Sequence, residues 1–130
     1  MSIIYLLEKR PCLSWTLTIF YAGIIFLFSS MPVPPQPVKG VGYAPFIEHI
    51  VEYSILGFLL LASLRGSERT RGRAIIIAIL VATFYGITDE IHQAFVPGRD
   101  LSIMDVLADS IGAIIGVISI NPGNSKSGPD

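Results

Sequence analysis

The chain has 130 residues, of which 52% are hydrophobic and 15% charged, where an ordinary soluble domain carries roughly 25% charged residues. A globule this small must cover much of its surface with polar groups, so a mean hydropathy of +0.64 argues against a soluble enzyme, a disordered linker or a disulfide-rich secreted domain. The net charge of −1 offers no field for nucleic acid, and the lone Cys12 cannot form an intrachain disulfide.

A membrane helix needs about 20 mostly apolar residues. The first such segment runs from Leu13 to Met31, and no charge occurs between Pro11 and Val38. Lys9 and Arg10 precede it as in a signal peptide. The stretch is long, however, and ends in Ser29-Ser30-Met31-Pro32 rather than a small-residue cleavage site, so it reads as an uncleaved span. The stretch from Pro32 to Pro45 is rich in proline and glycine and reads as extended and non-helical. The second span, Phe46 to Leu64, is interrupted early by Glu48, His49 and Glu52. A short basic connection follows, carrying Arg65, Arg69, Arg71 and Arg73. The third span, Ala74 to Phe95, is uncharged until Asp89. Val96-Pro97-Gly98-Arg99 reads as a tight turn, with proline presetting the first central position and glycine allowing positive φ at the second. The fourth span, Ile103 to Ile120, carries Asp105 and Asp109 in its first turns, and residues 121–130 read as a disordered polar tail. No repeat or second domain is evident. The expected fold is an all-α bundle of four transmembrane helices forming one domain over residues 1–120.

Lys and Arg asymmetry sets the expected orientation. Lys9 and Arg10 precede the first span and four arginines lie between the second and third, so both segments and both termini are placed in the cytoplasm. Glu48, His49, Glu52, Asp89, Glu90, His92, Gln93, Asp105 and Asp109 then all fall in the outer half of the membrane, with Arg99 just above. Ionisable groups at such depth usually face the bundle interior or a wet cavity. One outward-facing polar site between the second, third and fourth spans is the expectation.

Several of these residues also have local explanations. Ser102 with Asp105 has the form of a capping box. Pro45 suits a first helical position, and Glu48 complements a positive helix end. His92 suits a helix C-terminus, whereas Asp89 and Glu90 oppose the dipole there and need a compensating proton or cation. Arg99 is expected to fold back onto a carboxylate of the third or fourth span. Two histidines among carboxylates suit a divalent ion, but no compact HExxH-type motif occurs, so no metal or cofactor is expected and a proton-sharing hydrogen-bond network is the alternative. The stripe Ala108, Gly112, Gly116 permits close helix packing, within the bundle or in a dimer. Trp15, Tyr21 and Tyr85 read as belt or core residues, and Tyr53 lies one turn from His49.

The runs Glu48-His49-Ile50-Val51-Glu52-Tyr53, Asp89-Glu90-Ile91-His92-Gln93 through Pro97-Gly98-Arg99, and Asp105 to Gly116, with Ser29-Ser30-Met31-Pro32, resemble the VanZ-like family of small bacterial membrane proteins. That family usually has asparagine where this chain has Asp109. The resemblance implies a cell-envelope role in the bacterial cytoplasmic membrane. The founding member is associated with teicoplanin resistance. On this reading His49, Asp89, Gln93, Arg99 and Asp105 form a binding site, and Tyr53, Pro97, Gly98, Gly112 and Gly116 support it. Partners are membrane lipids and an envelope precursor or glycopeptide; a homodimer has no support. The alternative is a small intramembrane enzyme acting on a lipid-linked substrate, with Glu90 or His92 as general base, Asp89 orienting a histidine and Arg99 binding a phosphate or carboxylate. An ion or proton pathway ranks third, because the inner halves of the spans carry no ionisable residue.

Overall fold

The computed structural model describes residues 3–33, 44–66 and 71–120. Most of the proline-rich connection, the middle of the basic connection and the polar tail lie outside the described residues. Every regular element described is helical: α1 (Ile3–Glu8), α2 (Pro11–Ser29), α3 (Ala44–Gly66), α4 (Arg71–Gln93) and α5 (Ile103–Ile118). Three of them, α2, α3 and α4, are long and apolar enough to cross a membrane. The segment expected as a fourth span forms helix α5, whose 16 residues reach only about 24 Å at 1.5 Å each, against a hydrocarbon core of about 30 Å.

Helix boundaries follow local chemistry. The short α1 was not expected from hydropathy. It stops where Pro11 forces Arg10 out of the helical region, to φ −127° and ψ 71°, and Pro11 then opens α2. At the far end of α2, Ser30 Oγ donates back to Phe26 O at 2.6 Å, and Pro32 cannot continue the helix. The turn after α4 forms as the sequence suggests. Arg99 N donates to Val96 O at 3.1 Å, and Gly98 takes φ 81°, the glycine position of a type II turn. Ser102 caps α5, its Oγ accepting from Asp105 N at 3.2 Å.

Consecutive long helices run antiparallel, which leaves α3 and α5 parallel and in contact. The contact depends on small residues. A Cβ on Gly57 would sit 2.6 Å from Ala113 O, one on Gly112 would strike Ile50 O, and one on Gly116 would strike Ser54 O. The small-residue stripe thus packs within the chain, as close backbone approach in membranes requires. A second stripe lies on α4, where Ala74, Ala78, Ala82 and Gly86 are all buried. Outward faces are apolar, with Ile19, Phe20, Leu80, Phe84, Ile114 and Ile118 exposed. Polar ties join the helices inside. Thr18 Oγ1 donates to Ser14 O at 2.8 Å and shares a hydrogen bond with Ser63 Oγ across α2 and α3 at 2.9 Å. Tyr85 Oη donates to Ala22 O at 2.7 Å.

Candidate functional site

The packing gathers the polar residues at one end of the helices, where α2 and α4 finish and α3 and α5 begin. There a cavity of about 310 Å³ opens between α2, α3 and α4. Glu48, His49 and Glu52 line one wall, and Asp89, Gln93 and Arg99 line the other. Ile25, Phe28, Ser29, Met31 and Pro32 complete it from α2 and the residues after it.

Asp89 is buried and held from two sides: Ser29 Oγ donates to its Oδ1 at 2.5 Å, and Gln93 Nε2 donates to its Oδ2 at 3.0 Å. The Gln93 bond is an i,i+4 pair on α4. Gln93 Oε1 accepts in turn from Arg99 Nη1 at 3.2 Å. Arg99 folds back as expected, but not onto a carboxylate. Its Nε donates to Met31 O at 3.1 Å and its Nη2 to Phe28 O at 2.9 Å, so it caps carbonyls at the C-terminal end of α2. Phe28 O also accepts from Met31 N at 3.1 Å, so the guanidinium fork takes its second lone pair together with Met31 O, at the negative end of the helix dipole. Val33 N donates to Pro97 O at 3.1 Å, pinning the turn to the same segment. Gly98 packs directly on Val33 O, where a Cβ would not fit.

His49 is oriented by a residue outside the expected binding set. Its Nδ1 donates to Asp109 Oδ1 at 2.8 Å, so Asp109, and not Asp89, holds a histidine. Asp109 is fully buried, and Gly86 makes room for it: a Cβ there would lie 2.6 Å from Oδ2. The other histidine points elsewhere. His92 stacks on Phe26 with ring centroids 4.7 Å apart, and its Nε2 pairs with Ser30 Oγ at 3.0 Å. Because Ser30 Oγ already donates to Phe26 O, His92 is the donor in that pair. His92 thus lies apart from the cavity wall and from His49.

The capping box is half realised. Ser102 caps α5, but its own N–H donates to Glu90 Oε2 at 2.9 Å rather than to Asp105. Glu90 of α4 takes the place the sequence assigns to Asp105. The Asp105 carboxylate is left beside His49 and Glu90, where one donor atom from each of the three residues lies within 4.8 Å of the others. Tyr53 is wholly buried with its ring 6.4 Å from Tyr85, a core position behind the site. Ser29, Ser30, Ser102 and Asp109 are therefore contributors that the expected binding set omitted. Each had a sequence signal of another kind: Ser29 and Ser30 in the run that ends the first span, Ser102 as a helix cap, and Asp109 among the carboxylates of the outer half.

Against protein families, residues 14–121 match the one described as VanZ/LLP1. Comparisons with curated proteins and with solved structures find no match.

Proposed function

The chain belongs to the VanZ/LLP1 family, and on that premise we propose that it is a four-span protein of the bacterial cytoplasmic membrane whose outward-facing cavity binds the polar group of an envelope precursor or glycopeptide. One observation carries this reading: a cavity of about 310 Å³ with carboxylates on both walls, a single arginine, and apolar side chains from α2. Arg99 spends three of its five N–H donors on the protein and keeps two for an anion. Glu48 and Glu52 offer acceptors for ammonium or amide groups on the same ligand. That pairing suits a molecule bearing both amines and an anionic group, as amino-bearing precursors and glycopeptides do. Pockets of this size with a few polar groups are typical ligand sites.

Orientation follows from the basic end. Arg65 Nη1 pairs with Glu8 Oε1 at 3.0 Å, which brings α1 beside the end of α3 and supports placing the N-terminal segment and the arginine-rich connection on one, cytoplasmic, side. On this reading α5 is the fourth crossing, residues 1–120 form one domain, and both termini are cytoplasmic.

A second reading, a small intramembrane enzyme, is favoured by the His49–Asp109 pair, since a carboxylate that fixes a histidine tautomer prepares the other ring nitrogen for proton transfer.

The test is teicoplanin and vancomycin susceptibility in a sensitive Gram-positive host, comparing empty vector, wild type, Glu52→Gln and Asp89→Asn at matched membrane levels. Protection by wild type that both variants lose is the expected result. Equal protection by all three proteins would mean an effect independent of the cavity, and none from wild type would remove glycopeptides from the proposal.

A further inference from the structure

The cluster of His49, Glu90 and Asp105 lies beside the cavity and shares only His49 with its walls. Its three donors come from three helices, α3, α4 and α5, and each is already fixed by something else. His49 Nδ1 donates to Asp109 Oδ1, so Nε2 is the nitrogen that would ligate a metal, which binds there in place of a proton. Ser102 N holds one oxygen of Glu90. The cap at Ser102 sets the first turn of α5, from which Asp105 projects. A ligating histidine whose other nitrogen donates to a carboxylate is the usual outer-shell arrangement of metal sites.

An independent observation points to a missing partner. Glu90 is 1% exposed, yet its Oε1 accepts no hydrogen bond. Buried carboxylate oxygens are costly to leave unpaired. The local charge is also one-sided, since Glu90, Asp105 and Asp109 converge on one histidine while the hydrogen bonds of Arg99 go to α2, Met31 and Gln93 and to none of these carboxylates. Donors bound to one ion sit roughly 3–3.5 Å apart at metal–ligand distances near 2.1 Å. Closing the set from its present 4.8 Å spread would draw the half-buried Asp105 carboxylate toward the other two.

We propose that His49, Glu90 and Asp105 bind one divalent transition-metal ion at the polar end of the helices, with Asp109 positioning His49. One imidazole with two carboxylates suits zinc or manganese better than the all-oxygen sites of calcium or magnesium. Three protein ligands leave at least one coordination position for water or a ligand. This site does not rest on the reading of the cavity.

The test uses the tag-free full chain in detergent micelles, stripped with chelator and titrated calorimetrically with Zn²⁺ alone and with Mn²⁺ alone. One ion per chain is expected for at least one of the two metals. Asp109→Asn, which alters the partner of a ligand, should weaken that binding by about 10–100-fold, and Asp105→Asn, which alters a ligand, by at least tenfold. Glu8→Gln, at the opposite end, should leave it unchanged. Asp105→Asn is a safe variant for folding because the α5 cap uses the backbone N–H of residue 105; helical circular dichroism checks this, and His49→Gln serves as a second ligand variant. Failure of both ions to bind wild type at one per chain, or wild-type affinity in Asp105→Asn and His49→Gln, overturns the proposal. Antibiotic susceptibility plays no part in this measurement, so its failure and that of the cavity reading are told apart.

Discussion

Asp89, expected in the binding site, also ties helices together through its hydrogen bonds. It is a carboxylate at the wrong end of a helix dipole, and the compensation comes from Ser29 Oγ and Gln93 Nε2. Through Gln93 the network reaches Arg99, and through Arg99 it returns to Phe28 O and Met31 O at the end of α2. The carboxylate thereby closes a ring of hydrogen bonds between α2, α4 and the Pro97-Gly98 turn. Removing one donor should be felt by the whole ring. Ser29→Ala deletes the 2.5 Å bond and leaves the 4%-exposed Asp89 with one partner fewer. Losing a hydrogen bond to a buried charged group costs about 1–3 kcal/mol. SDS unfolding followed by circular dichroism should show a loss of that size, whereas Ser29→Thr, which keeps the hydroxyl, should stay near wild type. A Ser29→Ala midpoint equal to wild type would mean that Asp89 is held by Gln93 alone.

At the scale of elements, the parallel pair α3 and α5 determines where the polar end forms. Gly112 and Gly116 let α5 approach Ile50 O and Ser54 O, and this brings Asp109 level with His49. Gly116→Ala sets a methyl group against the Ser54 backbone, which has no rotamer by which to yield. Overpacking of this kind costs about 1–3 kcal/mol and should pull Asp109 from His49. Gly23→Ala is the matched comparison, because nothing lies within 4 Å of a Cβ there and helix propensity favours alanine by about 1 kcal/mol. Thermal unfolding in one detergent should separate the two variants in opposite directions. Much of this level was legible in the sequence: the charge-free run after Pro11, the Pro97-Gly98 turn and the glycine stripe each carry a local signal. The stripe Ala74, Ala78, Ala82, Gly86 was not, because alanine counts as apolar in any hydropathy sum and its smallness matters only once another helix lies against it. Two of the three targets of Arg99 were hidden because they are backbone carbonyls, which no residue type announces. The exchange of Asp105 for Glu90 at the Ser102 N–H, and the pairing of His49 with Asp109, join residues 12 and 60 positions apart. Spacing rules reach one or two turns and no further.

For the whole molecule, the decisive question is the proposed fourth crossing. The polar end holds every Asp, Glu and His of α3, α4 and α5, and Arg65 and Arg73 lie at the other end. Between them α3 from Ser54 to Leu64, α4 from Ala74 to Thr88 and α5 from Ser110 to Ile118 carry no charged residue, which also leaves a proton relay without an inner half. α5 starts beside His49 and runs parallel to α3, yet Gly116 is level with Ser54 and Phe58 while α3 continues to Gly66. At about 24 Å, α5 crosses only if the bilayer thins locally. Thinning costs fractions of a kcal/mol per ångström, less than leaving its apolar face in water. Four crossings therefore predict opposite exposure for the two ends of α5. A green fluorescent protein fused after Asp130 should fluoresce, and alkaline phosphatase fused there should be inactive. Leu101→Cys in a Cys12→Ser background should react with an impermeant maleimide in intact cells. An active phosphatase with a dark fluorescent fusion would instead put the carboxy-terminal end outside, reduce α5 to a helix packed against α3 without crossing, and leave three spans around the same polar site.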